Sequence, residues 1–526
     1  MHGENDMAAP FAAYLYYLQS PWHLPLFYLH TLGAPAGVNA IFTDFVPIVA
    51  LMGKVIHGIT GVVVNLYGAY FFLCFVLSGI AMTALLIAAR VRYALAAMVG
   101  AVFAGTAPIL LWRWGHMPHT SQFLLIGALA LYLFSLQKRA WRGVQATWIA
   151  YLTLAYLTNI YLFAMVGTVW LCALIQRRLN GLAQTQEVLA NGVLAVALVS
   201  MVIAVGGQFG SGGQLPFSRD YGQASMNLLS PFVPQESGWF PGLGGAIDAT
   251  GFQYEGFNYL GLGLLLATVL ILPAELRWLR RNLKRHVALL VAFTAFTAFA
   301  VSNRVFVGHW LLFELPIPHY LDRLLGIFRG SGRFFWLIYY AQMAIVLVLG
   351  FRRAQPTIAL CLAGAAIVQL YDVQPLREQI IASIAAAPGP EMFDPTQLAR
   401  VIAGARQVDV VPSFQCSDWK RDLTRANAEI MLASARANIP INSVYLARYS
   451  YGLTIGDVLR QPSHAGEMLV VRHEDYCRQE MERARSGGGR PGDVVILLSD
   501  QPRPEDIVAG VVCAPLSWAR YCRRVN

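Results

Sequence analysis

Charged side chains are scarce in this sequence: Asp, Glu, Lys and Arg make up 13% of its 526 residues, against 56% hydrophobic. Soluble domains carry roughly 25% charged residues, so the composition excludes a large globular enzyme and indicates an integral membrane protein. The first residues, MHGENDMAAP, lack the basic start and apolar core of a cleavable signal peptide. There is no G-x-x-x-x-G-K-[ST] phosphate loop, no H-E-x-x-H pair and no nucleophile elbow. The net charge of +10 does not imply nucleic acid, because the basic residues sit in short clusters between apolar runs. Clusters of that kind set membrane topology.

What is present divides at Asp372. Residues 1–371 are apolar and read as a polytopic α-helical membrane domain; residues 372–526 are an ordinary polar mixture and read as a soluble α/β domain. About ten transmembrane helices are expected, near 64–89, 93–112, 119–137, 144–158, 160–176, 188–206, 257–274, 286–302, 333–351 and 355–371. Their alternation puts Arg90 and Arg92, Lys138, Arg139 and Arg142, Arg177 and Arg178, Arg277, Arg280, Arg281, Lys284 and Arg285, and Arg352 and Arg353 on one side. The positive-inside rule makes that side the cytoplasm. The other side then receives the loops 1–63, 207–256 and 303–332 and the domain after Asp372. An N-terminus on the outer side implies a first transmembrane helix that this chain does not contain.

The outer loops hold the chemistry. In TGFQYEGFNYLG the carboxylate of Glu255 lies among Tyr254, Phe257 and Tyr259, whose faces suit a sugar ring, with Asn258 a further candidate substrate contact, and beside Gly251 and Gly256, which leave room for a ligand. The alternative is an interfacial turn. RWGHMPH supplies Arg113, His116 and His119. Two histidines three apart suit a divalent metal or the polar lining of a cavity. In FRGSGRFFW, Arg329 and Arg333 bracket a Gly-Ser-Gly stretch, a pattern suited to phosphate oxygens, with snorkelling at the interface as the bland alternative. Asp6 and Asp44 are the remaining candidate acids, and Asp44 also suits the cap of a short helix. PWHLPLF reads as a segment lying along the interface.

The stretches FTDFVPIVAL, GHMPHTSQFLLIGALALY, NLLSPFVP, QYEGFNYLG and FRGSGRFFW resemble an uncharacterised bacterial family of multi-pass proteins similar to the GT-C superfamily of membrane glycosyltransferases. The resemblance implies sugar transfer from a polyprenyl-phosphate donor to a cell-envelope glycan or lipid acceptor at the outer face of the bacterial inner membrane. It implies a catalytic acid sixteen positions before the Trp of a Pro-Trp pair. Counted back from Trp22 that residue is Asp6, although Asn5 and Met7 flank it here rather than the Gly of a Gly-Asp pair. A transporter or flippase of polyprenyl-linked glycans is the alternative, and an envelope scaffold a third.

In the C-terminal region ARQVDVVPSF, INSVYLARYS and DVVILLSD read as strands and DLTRANAEIMLASARA as a helix. Cys74, Cys172 and Cys361 lie in apolar runs as small fillers. Cys416, Cys477, Cys513 and Cys522 form an even set that permits disulfides in an oxidising compartment, with three pairings open.

Overall fold

The computed structural model describes the chain except residues 1–2, 138–140, 208–220, 319–324, 326–327, 354, 387–390, 419, 447–464, 487, 489, 499–509, 518 and 525–526. Two compact units emerge: Tyr67–Met201 with Ser218–Ala385, and Met1–Leu66 with Val202–Phe217 and Ala386–Asn526. This division corrects the single boundary expected at Asp372, because residues 1–66 belong with the C-terminal region.

The first unit is helical. Each of the ten expected spans contains a helix, but among the described residues six helical runs are long and apolar enough to cross a membrane: Tyr67–Ala88, Met117–Ser135, Ile160–Leu179, Thr185–Gly206, Leu262–Val301 and Ser331–Phe351. A seventh arises if the bent pair Pro356–Asp372 and Gln374–Ala385 counts as one. Ala94–Gly105 and Trp141–Tyr156 are helices too short to qualify. The break between Trp141–Tyr156 and Ile160–Leu179 is real, since the Asn159 side chain caps the second helix by accepting from Tyr161 N and Leu162 N. These helices are those of a membrane-embedded protein.

Leu262–Val301 is an uninterrupted helical run of 40 residues, which if straight would reach roughly 60 Å. Yet Met226 N donates to Ala300 O, and Leu260 N to Pro231 O. The chain from Met226 to Pro231 spans at most about 18 Å. The run therefore folds back, and it does so at the 3₁₀ turn Lys284–His286, where His286 leaves helical geometry. Its halves are the helices Leu262–Leu283 and Val287–Val301.

Hydrogen bonds sort the ends of this bundle. At one end Gln137 Nε2 donates to Ala88 O, Arg177 Nη1 to Ser135 O, and Ala288 N to Gln176 Oε1. Arg352 pairs there with Glu275. The described basic clusters gather at that end. The opposite end joins Gln122 to Ile109 O and Tyr340, Tyr161 to Gly330, and Leu262 N to the buried Asp372 carboxylate, which caps a helix it does not belong to.

The second unit carries a four-stranded sheet. Gln407–Val411 runs parallel to Asp493–Leu497, which pairs antiparallel with Ala519–Arg524, and Val511–Leu516 forms the edge. The helix Arg421–Ala437 falls on the expected stretch. The expected strand at INSVYLARYS is not formed over its described residues, apart from single bridges at Ile441. There the Asn442 amide takes the ladder's place, accepting from Val410 N at 2.8 Å and donating to Val410 O at 3.0 Å. The four cysteines of the C-terminal region pair as Cys416–Cys477 and Cys513–Cys522.

The N-terminal helix Gly3–Gln19 packs into this unit. Gln19 Nε2 donates to Ala435 O at 2.9 Å, and Tyr16 OH to Ile439 O. Buried Lys54 closes the helix by donating to Tyr17 O and Pro21 O, the cation resting on the last carbonyls. Phe27 of PWHLPLF is buried while Trp22 and Leu24 are exposed, so that segment is partly core.

Candidate functional site

The site forms because glycines let three stretches of backbone meet. A Cβ on Gly256 would lie 2.1 Å from Ser225 O, and one on Gly332 would lie 2.5 Å from Gly256 Cα. No side chain fits there. Gly332 N donates to Ala224 O at 3.2 Å, and buried Asn258 donates from Nδ2 to Gly256 O at 2.8 Å and to Gly332 O at 2.9 Å. QYEGFN and RGSGRF are thereby locked against each other. The role expected for these glycines is corrected: they admit backbone rather than ligand. Gly251 has a different task, a positive φ of 77° with open space beyond it.

The consequence is an ion cluster. Glu255 sits in the 3₁₀ turn Gln253–Gly256, and its Oε2 accepts from both Arg113 Nη1, at 2.8 Å, and Arg333 Nη2. Arg113 also donates to Glu255 O at 2.5 Å, and Arg333 Nη1 meets His119 Nε2 at 3.0 Å. A guanidinium only donates, so His119 accepts at Nε2 and is neutral, with its proton on Nδ1. Aromatic rings cover the cations: Arg113 Cζ lies 5.7 Å from the Trp336 ring centre and Arg333 Cζ 5.0 Å from that of Tyr161. Arg113, His119 and Arg333 are buried. Burial raises the Glu255 carboxyl, but Arg113 and Arg333 more than offset this and hold it well below the usual carboxylate range.

The structure brings together Glu255, Arg333, His119 and Asn258, and adds Arg113, Tyr161 and Trp336. His116 lies tilted beside His119 at 5.7 Å between ring centres, and Tyr254 offers its carbonyl to Trp112 Nε1 at 3.0 Å. Arg329 is exposed, four residues before Arg333. Phe257 and Tyr259 are buried, Phe257 against Trp112, so neither is a platform for a sugar. Asn258 holds two backbone carbonyls through Nδ2. His119 is committed to Arg333, and among the described residues no group of three or more His, Cys, Asp or Glu is placed to hold a metal.

The two candidate bases lie in the other unit. Asp6 falls in the first turns of the Gly3–Gln19 helix rather than in a loop, and its side chain lies outside the described residues. Asp44 does not cap the following helix, whose N-cap is Val46. It ends the 3₁₀ turn Ala40–Thr43 in the left-handed region, φ 57°, a conformation Asp tolerates better than most residues.

Arg113 was legible as an arginine in the loop RWGHMPH, but its partnership with Glu255 was not, since 142 residues separate them. Tyr161 carried no signal, standing at the start of an apolar run. No curated protein and no solved structure matches the chain. A family model described as a domain of unknown function (DUF6311) matches residues 1–374, well over half of the chain, and the protein belongs to that family.

Proposed function

We propose that this protein is a membrane glycosyltransferase of the GT-C type. It takes a sugar from a polyprenyl-phosphate-linked donor and passes it to a cell-envelope glycan or lipid acceptor at the outer face of the inner membrane. The observation that carries the reading is the buried pair Arg113 and Arg333, gathered with His119 around the single Glu255 carboxylate at the end of the bundle away from the basic clusters. By the positive-inside rule that end is the outer one. The two disulfides of the C-terminal region suit an oxidising compartment.

Guanidinium groups match phosphate oxygens with paired, charge-assisted hydrogen bonds, and their cover of aromatic rings excludes water that would weaken them. Glu255 aims both forks and keeps two like charges together. In the transfer the acceptor oxygen attacks the anomeric carbon, the bond from that carbon to the phosphate oxygen breaks, and the electron pair leaves with the phosphate. Cationic groups at the phosphate stabilise that charge. The acceptor's proton goes to a carboxylate, the role assigned to Asp6, with Asp44 as the rival.

The test is release of labelled sugar from polyprenyl-phosphate donors, hexose and pentose in turn, by purified full-length protein in lipid nanodiscs. Turnover that falls about 10²–10⁴-fold in Asp6→Asn or Asp44→Asn supports transfer and identifies the base. Donor binding without turnover supports a transporter instead, and absence of binding removes both.

A further inference from the structure

Where the helix Val287–Val301 ends, the chain forms a two-stranded antiparallel ribbon, Arg304–Val307 with Trp310–Glu314. The inner strand is part of the fold: Val305 and Phe306 are buried, Val305 with Met226, Ala300 and Phe335, and Leu228 N donates to Phe306 O. The outer strand is the opposite. Trp310 is 78% exposed, Leu311 44%, Leu312 56% and Phe313 51%, and Leu315 beyond the strand is exposed as well.

Directly opposed residues share a face of a ribbon. Trp310 faces Val307 and Phe313 faces Val305, whereas Leu311 faces Phe306, with Leu312 the extra residue of an irregularity in register. The outer strand thus presents large apolar side chains from both faces. A protein partner laid on one face would leave the other in water, while a surrounding apolar medium covers both. The ribbon also begins three residues after a candidate membrane span, at the level where the chain leaves the hydrocarbon. An exposed Trp at that level is the side chain the bilayer interface favours.

We infer that the outer strand of this ribbon from Trp310 to Phe313 inserts into the bilayer interface and takes membrane lipid as its partner. The depth is limited by the backbone: among the described residues no strand pairs with the outer edge of this ribbon, and unpaired peptide groups are excluded from the hydrocarbon core. The ribbon therefore lies among headgroups and the first acyl carbons, with Arg304 and Glu314 paired at its base. Because its inner strand shares a core with Phe335, two residues from Arg333, insertion fixes the height of the ion cluster relative to the lipid surface.

The experiment uses full-length protein carrying Cys361→Ser, with Cys74 and Cys172 buried, and a nitroxide placed at Leu311→Cys or Phe313→Cys, one on each face. The protein is reconstituted in phosphatidylethanolamine–phosphatidylglycerol vesicles, and collisions with dissolved oxygen and with a water-soluble nickel chelate are measured. Insertion predicts that both labels meet oxygen several-fold more often than the chelate. A label as open to the chelate as a free nitroxide in water overturns the inference. So does a label shielded from both reagents, which would mean that protein covers that face.

Discussion

Arg333 and Glu255 form an ion pair across 78 residues of sequence, and the same carboxylate oxygen is shared with Arg113. One acid therefore holds two buried cations. Removing either partner of such a cluster leaves charge without compensation in a poorly solvated place, which typically costs about 3–5 kcal/mol.

Glu255→Gln should lower the melting temperature of the purified protein by an amount that depends on pH. The carboxyl is held below its ordinary value in the folded protein, so its stabilisation is fully present above the unfolded value of about 4.3 and is lost as pH falls through the folded value. The gap between parent and variant should be wide at pH 7 and narrow on acidification below about pH 4. A gap that does not change with pH would show that the side chain's shape, rather than its charge, matters.

Two glycine substitutions separate backbone approach from backbone conformation. Gly256→Ala places a methyl against Ser225 O and should destabilise by about 1–3 kcal/mol or more, loosening the cluster. Gly251→Ala meets no neighbouring atom and should cost about 1 kcal/mol, from its positive φ alone. Thermal melts of the two variants check the order, and equal losses would remove the close-approach argument.

Peptide mapping without reduction should recover Cys416 linked to Cys477 and Cys513 linked to Cys522. The first bridge closes a separation of 61 residues and the second one of 9, so in the chain-entropy view loss of the first should cost the C-terminal region about 4 kcal/mol and loss of the second about 2.5 kcal/mol. Proteolysis of the Cys416→Ser and Cys513→Ser variants tests that order.

Much of the helical architecture was legible because apolar runs and basic clusters are properties of short windows. Asn159 announced its break by a polar pair between two apolar stretches. The site was half legible: Glu255 and Arg333 stood out as ions among glycines and aromatics, but composition cannot say that they neutralise each other. The packing of residues 1–66 with the C-terminal region was hidden, because the contacts of Tyr16 and Gln19 with residues 435–439 join stretches some four hundred residues apart. The two last strands escaped notice for another reason. ARYCRR is too rich in arginine for an alternating pattern, and its pairing rests on the neighbouring strand and a disulfide.

The central claim is that Arg113 and Arg333 bind the phosphate of a lipid carrier, and binding of polyprenyl phosphate itself tests it most directly. In nanodiscs, with the folded fraction checked by melting, Arg333→Ala should weaken binding by about 10–150-fold, the loss of one charge-assisted hydrogen bond worth about 1.5–3 kcal/mol. Arg333→Lys should fall between, since Lys keeps the charge and loses the fork that reaches Glu255 and His119 together. Unchanged affinity in a folded Arg333→Ala variant would contradict the account and leave the cluster as an ion network that only holds two loops together.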